Sequence, residues 1–376
     1  MSTAPTIAPT GPEAIHRAAF RPTLLRVLDY LAGWCTAELL MAILEDPPLL
    51  AALEEGVSAE ELALRLGSPG SPVTGASGSE LTGALLQALH SEGALVCEQG
   101  VYRLAEDLSE LRAAHGWLEL LMEGYRELFQ GVGRLMREGD GAISRNHVRV
   151  ATGSARIAVY DAVPLTLRLI ERVGIPANNG MSDGEAAVVL DYGCGSALYL
   201  ITLCSQHPGL RAIGVELAEE TVATARAHVR AAGMDDRIAI EHASAPDYTP
   251  TEQVDFVVSA FVVHEIVGQR GIDGTIEFLR SIGQRFPSAK LLIVEVSNPY
   301  EEGRSELVGS DRQGRGYYNY YIWLHSVTTQ RLLPHAQWLE VFARAGYRVL
   351  HEERVDDVVD STGLTVGYAL EWVGVG

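Results

Sequence analysis

Two kinds of chemistry-bearing residues stand out in the sequence. VVLDYGCGSALYL leaves an apolar run through Asp191 and turns at Gly193 and Gly195, and RAIGVEL further on closes with Glu216. Glycines at such a turn let backbone amides approach a ligand, and a carboxylate ending the next strand can accept hydrogen bonds from both hydroxyls of a ribose. This pattern predicts a nucleoside-containing cofactor. VDFVVSAFVVHEIVGQ then delivers His264 and Glu265 side by side after a strand-like run, and GYYNYYIWLHSVTTQRLLP adds His325. That second stretch packs Tyr317, Tyr318, Tyr320, Tyr321 and Trp323 together in a chain that is only 7% aromatic, so the rings form either a core or a pocket wall. By themselves the histidines are as readily polar residues satisfied by backbone as functional imidazoles. His242 and His335 fit the plainer reading.

The elements that must position these residues alternate. AAVVLDYG, RAIGVEL, IAIEHAS, VDFVVSAF and AKLLIVEV are short β-branched runs separated by helical stretches, which means βαβ units and a parallel sheet. Ahead of NNGMSDGE, between 175 and 186, the texture is helical: residues 111 to 136 form one long pattern, and RIAVYDAVPLTLRLIER forms another, interrupted at Pro164. Nearer the start, Ser58 with Glu61 reads as a capping box opening a helix over Ala59 to Leu66. GSPGSPVTGASGS is a loop, Ser79 and Glu80 open a helix ending at Gly93, and ALVCEQGVYRL alternates like a hairpin about Gln99 and Gly100. Helix, loop, helix and hairpin read as a winged helix. The division is a disordered tail over 1–15, a winged-helix-like dimerisation domain over 16–110, a helical connector lining the active site over 111–180, and the cofactor-binding domain over 181–376.

Charge sets limits on partners. Against 49 acidic residues stand 29 Lys and Arg, a net charge of −20, which disfavours polyanion partners. The second helix of the winged-helix-like domain has no Lys or Arg between Leu81 and Glu92, so it lacks the cations that position a DNA reader on phosphates. Packing against a second copy suits it better, and a homodimer is expected. The four scattered cysteines form no CxxC pair, and the first residues lack a basic-then-apolar leader. These features point to a soluble, cytoplasmic protein with no membrane or nucleic-acid partner; no apolar run is expected to reach a membrane span.

The Gly-rich turn suits two cofactor classes. Dinucleotide enzymes favour GxGxxG, whereas this turn reads GxGxA with Asp191 just before it. D-x-G-x-G resembles motif I of class I S-adenosylmethionine (SAM) methyltransferases. The resemblance implies Asp191 near the methionine end, Gly193 and Gly195 under the carboxylate and ribose, and Glu216 on the ribose. Ala197 stands where a third glycine is usual, and Ser244 where an acid commonly meets adenine. The fold class is therefore α/β, a Rossmann-like class I methyltransferase domain with a mostly parallel seven-stranded sheet, preceded by an α-helical winged-helix-like dimerisation domain.

YDAVPLT, LDYGCGSALYL, FVVHEIVGQ, RFPSAKLLIVEV, YYNYYIWLHSVTTQRLLP and VDSTGLTVGY resemble, more specifically, the 2-ketoarginine methyltransferase group of α-keto acid C-methyltransferases, over about residues 110 to 370. This resemblance implies a divalent metal, Fe or Zn, on His264 and His325, with Glu265 standing where relatives mostly have Asp. A 2-oxo acid offers its carboxylate and ketone oxygens as a chelate, and a Lewis acid there would stabilise the enolate that attacks the SAM methyl from C3. Glu265 would take the proton or orient His264. Tyr160 and Asp161 either cover the SAM methionine, as the resemblance suggests, or cap a helix. Tyr125 and Tyr321 are candidate substrate contacts, and Glu295 and Glu123 are candidate partners for a guanidinium tail. The expected activity is C3-methylation of a 2-oxo acid, 5-guanidino-2-oxopentanoate foremost, supplying a β-methyl amino acid for natural-product biosynthesis. The alternative is O-, N- or indole C-methylation of a small aromatic metabolite with His264 as general base. A SAM-sensing DNA regulator is the third reading, disfavoured by the cation-free helix.

Overall fold

The structure, a computed structural model, describes residues 17–68, 70, 75–139, 143–174, 186–244, 248–301 and 303–374. The expected tail over 1–15, the NNGMSDGE linker and part of the GSPGSPVTGASGS loop lie outside them. The chain forms two compact units, up to Arg112 and from Ala113 onward. The helical stretch before the sheet therefore belongs to the second unit.

The first unit holds α1 (Arg17–Leu44), α2 (Pro47–Glu55), α3 (Ala59–Arg65), α4 (Gly78–Ser91) and a hairpin of β1 (Leu95–Glu98) and β2 (Val101–Leu104). Ser58 Oγ accepts from the Glu61 amide and starts α3 as expected. The cap of α4 is Ser77 rather than Ser79, in a reciprocal box with Glu80 that satisfies two otherwise orphaned amides. Val57 bridges Tyr102 across the hairpin edge, completing a winged-helix-like unit. One sequence expectation is corrected in α1. Arg21–Leu44 has a mean hydropathy of 1.5 and is, by length and composition, apolar enough to cross a membrane.

In the second unit the expected long helix breaks into α5 (Leu111–Leu118), a π-helical turn over Glu119–Gly124, α6 (Arg126–Gln130) and α7 (Val132–Glu138). The next pair, α8 (His147–Ala158) and α9 (Ala162–Val173), breaks at Val159 to Asp161 and not at Pro164. Pro164 sits in the first turn of α9, where a missing N–H costs no intrahelical bond, and the Asp161 carboxylate accepts from the Ala162 amide to cap the helix.

The sheet then follows as β3 (Ala187–Tyr192), α10 (Leu198–Gln206), β4 (Leu210–Glu216), α11 (Glu219–Ala231), β5 (Ile238–His242), β6 (Phe256–Ala260), α12 (Val263–Arg285) and β7 (Lys290–Val296). After α13 (Ser305–Ser310), a π-helical turn over Gly314–Tyr318, α14 (Asn319–Ser326) and α15 (His335–Ala345), the chain ends in β8 (Tyr347–Arg354) and β9 (Thr365–Trp372). The strand order is β5-β4-β3-β6-β7-β9-β8, parallel from β5 through β7, with β9 antiparallel to both β7 and β8.

Burial explains why these runs are apolar throughout. Alternate residues of β3 feed opposite faces, Val189 into one core and Val188, Leu190 and Tyr192 into the other. Each such side chain withdrawn from water is worth about 1.5–3 kcal/mol, which fixes the register of the central strand. The order reverses at β3, with β4 on one side and β6 on the other. Such a reversal opens a crevice at the carboxyl ends of the strands, where ligands of open α/β sheets bind.

Candidate active site

That crevice is a cavity of about 510 Å³. Its floor is the turn between β3 and α10. Gly193 has φ 86° and Gly195 φ 53°, values open to glycine, and a Cβ on Gly193 would sit 3.1 Å from Val262 Cγ2. Ala197 also takes the left-handed region, at φ 63°, where glycine would be unstrained. Glu216 holds the turn from below: Oε2 accepts from the Gly195 amide at 3.2 Å, and Oε1 from the amides of Leu217 at 2.8 Å and Ala218 at 2.9 Å. Asp191 ends β3 beside it, buried; burial first, then the charge of Glu216, pushes its carboxyl up to about 7. Ser244 lines the same cavity.

Asp191 gives the cofactor site a pH dependence of definite sign. Its folded value lies above the unfolded one, so its contribution to stability is complete below the ordinary carboxyl range and is lost as pH rises through about 7. The ionised form left above that pH attracts a cationic ligand. SAM carries sulfonium and ammonium charges, so its dissociation constant is expected to fall up to about tenfold between pH 6 and 8. Calorimetric titration should show this slope, and a flat profile in wild type would remove Asp191 from the cofactor contact.

The other wall carries the imidazoles. Phe261, at the end of β6, is held at φ 58°, and this strained turn swings the chain directly into α12 with His264 in its first turn. His264 is buried, and its Nδ1 donates to Glu295 Oε2 at 2.7 Å while its backbone N–H donates to Glu295 Oε1 at 3.1 Å. Burial works against the charged ring, yet Glu295's charge and hydrogen bond outweigh it and hold His264 above the ordinary imidazole range. His325, in the last turn of α14, uses Nδ1 on the Tyr321 carbonyl at 2.7 Å. Burial first, then His264, pushes it well below the ordinary range. The two rings stand edge to face with centroids 4.8 Å apart, and Tyr321 lies on His325 at 3.9 Å. Neither Nε2 has a hydrogen bond among the described residues.

Two residues that sequence reasoning missed complete this wall. Arg145 Nη2 and Gln330 Nε2 both donate to Glu265 Oε1, each at 2.7 Å. Burial opposes ionisation of Glu265, but Arg145 and His264 outweigh it and keep the carboxyl below its usual range. Both donors are single polar residues in segments without periodicity, so only the folded geometry brings them to Glu265. Gln330 is pinned there by a close backbone approach. A Cβ on Gly268 would fall 2.1 Å from the Thr329 carbonyl and 2.5 Å from Gln330 Cα. Gly268→Ala is expected to destabilise the fold by about 1–3 kcal/mol, seen as a lower urea midpoint, and to lower turnover by displacing Gln330.

One cavity thus gathers Asp191, Gly193, Gly195, Glu216 and Ser244 with His264, Glu265, His325, Tyr125 and Tyr321. Four candidates fall elsewhere. Glu295 lies behind His264 with both oxygens committed to it, and Glu123 pairs with Arg126, so neither is free for a guanidinium tail. Tyr160 is 40% exposed, and Asp161 caps α9 and lines a separate narrow cavity, so neither lines the cofactor crevice. Within the aromatic stretch, Tyr318 is core, with its hydroxyl 2.9 Å from Thr365 Oγ1, Tyr320 is exposed, and Tyr321 is pocket wall.

Comparison with known proteins bears on the fold and the enzyme class. A family model described as a methyltransferase domain matches residues 189–295. A 2-ketoarginine methyltransferase from Streptomyces arginensis is 32% identical over 291 residues, covering 77% of this chain and 81% of that protein. Among solved structures, the mitomycin 7-O-methyltransferase MmcR aligns at a TM-score of 0.61 with 16% identity, over 95% of this chain and 99% of that one. PigF with SAH aligns at 0.61 with 15% identity, over 92% and 98%. Fold and crevice define a class I SAM-dependent methyltransferase. The chain belongs to the family that includes 2-ketoarginine methyltransferase.

Proposed function

We propose that the enzyme methylates C3 of a 2-oxo acid, with 5-guanidino-2-oxopentanoate as the preferred acceptor, and so supplies a β-methyl amino acid for natural-product biosynthesis. The name of the Streptomyces relative supports the acceptor class. The observation that carries the reading is the pair His264 and His325, rings 4.8 Å apart, each with Nδ1 occupied and Nε2 free. Partners on Nδ1, here a carboxylate and a backbone carbonyl, fix the tautomer that leaves Nε2 as a metal ligand. No group of three or more His, Cys, Asp or Glu suited to a metal occurs among the described residues, and two imidazoles alone would leave most of a divalent ion's shell to be filled by a chelating acceptor. Such an ion would supply Lewis acidity toward the acceptor's oxygens.

The chain's own groups do the rest. Glu265, ionised and held by Arg145 and Gln330, receives the proton leaving C3, and the resulting carbon nucleophile takes the methyl from SAM, leaving neutral S-adenosylhomocysteine. Its lowered pKa makes it a weak base, adequate only for an acceptor whose C3–H is already acidified. Purified enzyme with SAM, Fe(II) or Zn(II) and the oxo acid should add one methyl, located at C3 by NMR. No methyl gain on any 2-oxo acid would end this reading.

The His264–Glu295 pair also favours a second reading, in which His264 is the general base of an O-, N- or indole C-methyltransferase acting on a small aromatic metabolite. A chelator separates the two: it abolishes C-methylation, with recovery on metal addition, and leaves base-catalysed transfer intact.

The first unit is assigned to self-association. α1 exposes Leu24, Leu25, Leu28, Leu31 and Trp34, and α4 carries no Lys or Arg for DNA phosphates. Four free thiols fit a cytoplasmic setting. Sedimentation as a species of 40.6 kDa would overturn the dimer.

A further inference from the structure

Beside the imidazole pair lies a second, narrower cavity that shares Leu120, Ser154, Phe261 and Tyr321 with the first. Its distinctive lining is two buried carboxylates, Asp161 and Asp360, set among Trp117, Tyr317, Tyr318 and Tyr321. Asp360 is anchored by its own turn. Oδ1 accepts from the Thr362 amide and hydroxyl and the Gly363 amide, and Oδ2 from the Thr365 amide at 2.8 Å. Asp161 is only 7% exposed, and among the described residues its carboxylate has backbone amides alone as donors, that of Ala162 and its own. No Lys, Arg or His pairs with either acid among those residues.

Asp360 is offset by its four donors, whereas Asp161 is buried with no counter-charge, and burial followed by the charge of Asp360 pushes it up to about 8. A bound cation removes the cost of that burial. The walls suit one that is planar: Tyr317 and Tyr321 have centroids 5.4 Å apart, and aromatic faces attract guanidinium groups. Tyr321 also joins the cavity to the reacting centre, since its ring lies 3.9 Å from that of His325.

We propose that this cavity is the subsite for the cationic tail of the acceptor, a guanidinium or ammonium group carried on a short methylene chain, held by Asp161 and Asp360 against Tyr317 and Tyr321. The proposal rests on the 2-oxo acid reading for the other end of the molecule. The cavity has about 20 Å³ of room, enough for about one water, so its walls must widen to admit the group. The tail charge replaces the proton on Asp161, and the aromatic walls exclude water from the pair.

The test compares 5-guanidino-2-oxopentanoate with its neutral isostere, 5-ureido-2-oxopentanoate. Wild type is expected to favour the guanidino acid on the order of 100-fold in kcat/KM, and Asp161→Asn, which retains the capping oxygen, to shrink that ratio to about 3-fold. Equal use of the two acids by wild type overturns the subsite without any variant having to fold. Another cation, the ammonium of SAM, has the same chemistry; loss of SAM affinity in Asp161→Asn with the acceptor ratio retained would assign the acids to the cofactor and overturn the proposal. Calorimetry with propylguanidinium reads the cavity apart from the reaction. Binding to wild type that Asp161→Asn loses supports the subsite even where no 2-oxo acid is methylated, and no binding to wild type overturns it.

Discussion

His325→Ala is expected to lower kcat/KM for C-methylation on the order of 10³-fold while leaving SAM affinity unchanged. The magnitude is the several kcal/mol that Lewis-acid stabilisation of developing charge contributes, at about 1.4 kcal/mol per tenfold. This variant is more informative than His264→Ala because His264 matters under either chemistry, as ligand or as base. His325 matters only if both imidazoles act together. Its Nδ1 is committed to the Tyr321 carbonyl, and burial keeps the ring neutral, which suits a ligand and leaves it a poor proton acceptor. A second readout separates loss of a ligand from loss of structure: wild type should bind a divalent ion in calorimetry, and His325→Ala should bind it far more weakly at an unchanged melting temperature. Full activity in the variant would leave His264 as a lone base and favour the O- or N-methylation reading.

The central sheet was legible because its strands are buried on both faces and therefore read as uninterrupted β-branched runs. The turn between β3 and α10 was legible because glycines there take positive φ, which few other residues adopt. The breaks among the helices were not. YDA ends α8 and starts α9 through a side-chain cap, whereas Pro164, the obvious breaker, lies where a helix tolerates it. The direction of buried carboxylates was equally hidden. Glu295 at the end of β7 looked free to meet a substrate, but the turn at Phe261 places His264 directly over it. Asp161 was expected over the methionine of SAM or on a helix end; it caps α9 and faces Asp360, a residue some two hundred positions away that no local pattern connects to it. Contacts of that kind are set by packing across layers, which local spacing does not encode.

Glu295 carries the second large effect. It is fully buried, and its two oxygens accept from the backbone N–H and the Nδ1–H of the same histidine, so it fixes both the position of His264 and its tautomer. Glu295→Gln preserves size but supplies one acceptor and one donor where two acceptors are required. If the amide NH2 faces Nδ1, the ring must move its proton to Nε2, which is then neither ligand nor base. If it faces the backbone N–H, two donors meet in a buried space. Either way kcat/KM is expected to fall about 10²–10⁴-fold, the range seen when a buried carboxylate that orients an imidazole is neutralised. The pH profile shows that the effect runs through His264. Nε2 must be unprotonated to act, and Glu295 raises the ring above its ordinary range, so the acid limb in wild type should lie above about 6.5. In Glu295→Gln burial is unopposed and the limb should move to lower pH; Glu295→Asp, which restores the charge, should move it back. A loss of activity with the acid limb unmoved would mean that Glu295 serves the fold alone.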